Sequence, residues 1–147
     1  MSTITELTAP ECEELLRAGV FGRLVLPDGP RGAEILPVNY VAVDDAILVR
    51  TATGSLIDQY GDGASLLFEV DQVDYERWHG WSVVVRGQGE LVSDDERSES
   101  ERHTPGPPRW VRRDDVRWLR LRWDELSGRR IGAARDRVAG MPVRRTW

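Results

Sequence analysis

The sequence predicts a mainly β protein, a small six-stranded antiparallel barrel with an N-terminal helix and a short second helix after the third strand. Three observations predict it. Short apolar runs rich in Val, Ile and Leu recur along the chain, punctuated by Gly, Pro and Asp turns. Clear helix signals occur at only two places. No helix of crossover length separates the strands, which argues against a doubly wound parallel sheet. With 147 residues the chain can bury one sizeable core. Residues 1–131 are expected to form a single domain, and residues 132–147, rich in Gly, Ala and Arg, an arm or tail.

Each element has a local reason. Thr8-Ala9-Pro10-Glu11 is a capping box with Pro in the first turn, and Leu7 and Cys12 are spaced for a hydrophobic staple. The helix should run to about Ala18, with Cys12, Leu15 and Leu16 on one face, and stop at Gly19. Val20–Leu26 and Ala33–Val43 read as a hairpin turned by Pro27-Asp28-Gly29-Pro30. Asp44-Asp45 turns the chain into a third strand, Ala46–Thr51, followed by a short helix over Gly54–Tyr60. Ser65–Val70 and Trp81–Val92 come next, the latter interrupted by Gly87 and Gly89, which predict a bulge or barrel corner. Residues 94–109 read as a charged helix or loop ending in Pro105-Gly106-Pro107-Pro108, and Val116–Trp123 as the last strand.

Composition narrows the chemistry. All 20 basic residues are arginine, so Schiff-base and lysine-nucleophile mechanisms are excluded. Cys12 is the only cysteine, and His79 and His103 lie far apart, so neither a disulfide, a thiolate cluster nor a metal-ligand spacing is present. No apolar run approaches the ~20 residues that span a bilayer, and the N-terminus lacks a signal pattern. A soluble cytoplasmic protein without a membrane partner is the expectation. Residues 1–108 carry 8 Arg against 20 acids, whereas residues 109–147 carry 12 Arg against 5. In the basic part the arginines alternate with Trp and aliphatics in a strand pattern. Pairing with the acidic part therefore explains them better than nucleic acid does.

The most informative stretch is Leu48-Val49-Arg50-Thr51-Ala52-Thr53-Gly54-Ser55-Leu56-Ile57-Asp58-Gln59. A strand ends in Arg-Thr and turns through Gly-Ser into a helix. Arg50 offers a bidentate cation, Thr51 and Ser55 offer hydroxyls, and Gly54 lets backbone amides approach an anion.

In this order the chain resembles the pyridoxamine 5′-phosphate oxidase-like family of split-barrel flavoproteins, in its small actinobacterial-type branch. Gly22-Arg23-Leu24, Ile35-Leu36-Pro37-Val38-Asn39-Tyr40, Val49-Arg50-Thr51 through Gly54-Ser55, and Phe68-Glu69-Val70-Asp71 leading to Gly80–Gly87 carry the likeness. Leu126–Ile131 matches the end of the barrel. The resemblance implies a homodimer holding FMN in clefts at the subunit interface. Arg50, Thr51, Gly54 and Ser55 would hold its phosphate. Backbone groups of Leu36, Pro37, Val38 and Asn39 would line the isoalloxazine, with Trp81 and Ser82 contributed by a neighbouring strand. It also implies flavin-mediated hydride transfer to a small-molecule substrate, with no dedicated catalytic side chain and no metal. Relatives commonly carry Gly-Ser-Lys at the turn, where this chain has Leu56. Losing one charge-assisted contact costs about 1.5–3 kcal/mol. Two further readings share the fold. Deazaflavin F420 would set its polyglutamyl tail in an Arg-rich groove, and a non-catalytic flavin- or haem-binding protein could use His79 as an axial ligand.

Overall fold

The computed structural model describes residues 3–106 and 115–132. Their strands form one antiparallel sheet curled into a split barrel. The elements are β1 (Ile4–Glu6), α1 (Ala9–Ala18), β2 (Phe21–Gly29), β3 (Gly32–Asn39), β4 (Val41–Val43) and β5 (Ala46–Ala52). They continue with α2 (Leu56–Tyr60), β6 (Ser65–Asp74), β7 (His79–Val92), α3 (Glu99–His103) and β8 (Val116–Ile131). The strand order is β3-β2-β6-β7-β8-β5-β4, with β1 added along the far end of β8.

Among the described residues eight strands stand where six were expected, for two physical reasons. The expected strand Ala33–Val43 breaks at Tyr40, whose amide donates to the Val20 carbonyl at 3.0 Å. Its buried hydroxyl donates to the Leu16 carbonyl at 2.6 Å, pinning the chain to α1. Beyond this anchor the backbone leaves β2 and pairs with β5 as β4. The other addition, β1, pairs Ile4 with Ile131 because β8 runs on well past Trp123, the expected end. The first hairpin also turns later than expected, around Pro30–Gly32, with a register shift between Leu26 and Gly29.

α1 forms as its signals predict. The Thr8 amide donates to Glu11 Oε2 at 2.8 Å, and the Glu11 amide to Thr8 Oγ1 at 3.4 Å. Cys12, Leu15 and Leu16 turn into the barrel core with Leu24, Leu26, Ile47, Val49, Phe68, Val83, Val85, Leu119 and Leu121. Each such side chain removed from water contributes about 1.5–3 kcal/mol. Cys12 is fully buried, and burial pushes its thiol up from the usual value, so it serves as a small hydrophobe.

The glycine-marked bulge is present. The β7–β8 register shifts between Arg86 and Gly87, where β8 carries the extra residue Asp124. A Cβ on Gly87 would lie 1.8 Å from the Arg122 carbonyl, so only glycine fits there. Trp118 lies on the outer face of the barrel, opposite the core that Leu119 and Leu121 enter. There it forms a second cluster with Val41, Val43, Leu48 and Val92. The charged segment forms α3, which docks over that face through Glu101. Its carboxylate accepts from Arg120 at 2.6 and 2.9 Å, and both side chains are buried. The expected arm over 132–147 lies outside the described residues apart from Gly132. Among the described residues no helix is long and apolar enough to cross a membrane.

Candidate functional site

The β5–α2 turn gathers several of the expected anion ligands. Thr51 Oγ1 and Ser55 Oγ lie 2.5 Å apart. Ser55 caps α2, accepting from the Asp58 amide at 3.1 Å. Gly54 has φ +82°, with open space where a side chain would stand. Its amide donates to Asp58 Oδ2 at 2.8 Å. The other carboxylate oxygen of Asp58 accepts from Arg117 at 2.7 Å. The Gly54 amide, then Arg117, hold this carboxyl below its usual range.

Arg117 was not picked out from the sequence. It lies on β8 directly opposite Thr51, so both side chains share a face of the strand pair. Arg50 is opposite Trp118 on the other face, since neighbours along a strand alternate. Its guanidinium stacks 4.6 Å from the Trp118 ring, and Arg97 stacks on the same ring at 4.5 Å. The Trp118 Nε1–H donates to Asp94 at 2.7 Å. Thr51, Gly54 and Ser55 thus come together, with Arg50 on the opposite face of the same strand end.

The expected ring-lining residues lie elsewhere on the sheet. β3 is the terminal strand of the order, so beyond β2 one backbone edge of Leu36–Asn39 faces no sheet partner among the described residues. Leu36 and Val38 pack inward, while Pro37 is exposed. On β7, Trp81 is buried in the core, and Ser82 faces outward into a groove of about 520 Å³ with Glu6, Val84, Arg86, Ser127 and Arg129. Between β3 and β7 lies a cluster the sequence did not reveal as a unit. Arg23 on β2 reaches both Glu69 and Asp71 on β6, at 2.9 and 3.4 Å. Burial, then a hydrogen bond and charge repulsion from Asp71, push the Glu69 carboxyl up to about 7. Arg97 pairs with Asp94 at 3.2 Å, beside the Trp118 ring.

His79 Nε2 is buried at the β6–β7 hairpin, 3.7 Å from Asp74 and with no hydrogen-bond partner among the described residues. Among the described residues no group of three or more His, Cys, Asp or Glu could hold a metal ion.

This strand order, helix placement and polar turn define a split-barrel protein. The family model described as pyridoxamine 5′-phosphate oxidase matches residues 8–130, and the chain belongs to that family. The FAD binding protein from Mycobacterium smegmatis is similar at 32% identity and a TM-score of 0.73, over 86% of this chain and 98% of that one. A conserved protein of unknown function from Corynebacterium diphtheriae is similar at 30% identity and a TM-score of 0.68, over 86% and 96%. The uncharacterized protein Rv0080 of Mycobacterium tuberculosis is 34% identical over 98 residues, 63% of this chain and 64% of its own length.

Proposed function

We propose that this protein is a flavin-nucleotide-binding oxidoreductase that works as a homodimer, with FMN held in clefts between the subunits. Its membership of the oxidase family and its likeness to an FAD-binding protein over nearly the whole of that chain support a flavin. The observation that carries the reading is the polar turn at one end of the sheet. Two hydroxyls, an amide beside a left-handed glycine and an arginine face the same way. The Asp58 carboxylate already bridges that amide and that guanidinium, so the donor set is one that accepts an anion. A flavin phosphate fits it.

When bound, the flavin supplies hydride transfer. The chain's own residues orient it and shield it from water. Thr51 and Ser55 hold the phosphate end and Gly54 lets it approach the backbone, assisted by Arg50, whose guanidinium must leave the Trp118 ring to take part. The free backbone edge of Leu36–Asn39 and the Ser82 groove present hydrogen-bonding groups to the ring. The homodimer is supported by Phe21 and Ile35, which are 38% and 66% exposed on the part of the outer sheet face that α3 leaves open.

The test is a fluorescence titration of the purified protein with FMN and, in parallel, with FAD. Saturable binding that Arg50→Ala weakens by about tenfold supports the reading, since a charge-assisted contact is worth that much. No binding of either nucleotide would overturn it.

A further inference from the structure

We infer that Arg117 is a second cation for the anionic group of the bound nucleotide, held in place by Asp58. The inference rests on the flavin-nucleotide reading and gives the arginine of that donor set a direct contact with the anion. Register carries the first part of the argument. Arg117 is directly across from Thr51, so its side chain rises on the face that carries the Thr51 hydroxyl, with Ser55 Oγ 2.5 Å from that hydroxyl. Arg50, the only arginine of the turn segment itself, rises on the opposite face against Trp118.

Orientation carries the second part. Asp58 is only 12% exposed and is fixed by the Gly54 amide, so it fixes the guanidinium it binds. The contact uses one terminal nitrogen of a planar fork with five donors. The Arg117 side chain is itself 40% exposed, so a ligand can reach it. An arginine anchored on one side and open on the other, beside two hydroxyls, suits a phosphate oxygen pair. Leu56, at the start of α2, brings no charge to the turn, and among the described residues Arg117 is the cation shown on this face. The plain alternative is a surface ion pair that tethers β8 to α2 and touches no ligand.

FMN and riboflavin separate these outcomes because they differ only by the phosphate. Both are titrated against the full-length wild-type protein, Arg117→Gln and Arg117→Lys, with thermal melts to show that each variant folds. FMN should bind the wild type at least about tenfold more tightly than riboflavin. Arg117→Gln should cut that preference by about tenfold while moving riboflavin affinity less than twofold, and Arg117→Lys should restore part of it. A preference unchanged in Arg117→Gln, or a loss shared equally by both ligands, overturns the assignment. A wild type that binds both equally overturns the phosphate role and leaves flavin binding standing. A wild type that binds neither overturns the flavin reading, and the Arg117 assignment with it.

Discussion

Thr51, Gly54 and Ser55 were legible as a set because a Thr/Ser-flanked glycine at a strand-to-helix junction dictates its own local geometry. Gly54 shows how direct that reading is. Its φ of +82° is left-handed, and nothing lies near the space a Cβ would fill. The cost of Gly54→Ala is therefore conformational alone, about 1 kcal/mol. Thermal melts should show Tm lower by roughly 2–4 °C, and an unchanged Tm would mean the turn relaxes freely. Arg50 and Arg117 were not legible in their mutual arrangement. Alternation sends Arg50 and Thr51 to opposite faces, and only the β5–β8 register reveals that Arg117 is Thr51's cross-strand neighbour. Asp58 left a fainter trace, as the acid three residues after the Ser55 cap.

Among the elements, α1, α2, β5 and most of β7 follow from capping, turn and alternation signals that act within a few residues. The departures all depend on partners distant in sequence. Tyr40 splits a strand by bonding to α1, and β8 continues past Trp123 by absorbing Asp124 as a bulge opposite Gly87. α3 has only five residues and depends on its buried ion pair with the sheet. Burial opposes the Glu101 charge, but hydrogen bonds from Arg120 and the Ser98 amide hold the carboxyl below its usual value. Glu101→Gln would leave Arg120 with the more exposed Glu90 alone, at 3.1 Å. Breaking a buried pair from one side costs about 3–5 kcal/mol. The loss of Glu90-independent pairing should therefore appear as a large drop in the denaturation midpoint. A midpoint within error of the wild type would contradict the anchoring role. Because the folded-state value is depressed, the pair's stabilisation is present above the usual 4.5 and is lost as pH falls below it.

At the scale of the whole molecule, the outer face of the sheet divides in two. Over β5 and β8 it is covered by α3 and its flanks, and over β2, β3 and β6 it presents Phe21 and Ile35 around the Arg23–Glu69–Asp71 cluster. Composition could not separate these two regions, because both draw on the same alternating strands. Glu69 makes the open region pH-sensitive. Its folded-state value is about 7 against a usual 4.5, so the folded protein holds this proton more tightly than the unfolded chain does. Its contribution is fully present below 4.5 and is lost as pH rises through about 7. Tm should accordingly decline from pH 5 to pH 8, and Glu69→Gln should flatten that decline. A slope unchanged by the substitution would remove Glu69 as its source. Sedimentation velocity of the protein saturated with FMN, detected at the flavin's visible absorbance, tests most directly whether two copies of this chain hold a flavin nucleotide between them. The flavin absorbance should sediment with a dimer and correspond to one flavin per chain. Absorbance that stays at the meniscus, or that moves with a monomer, would contradict it.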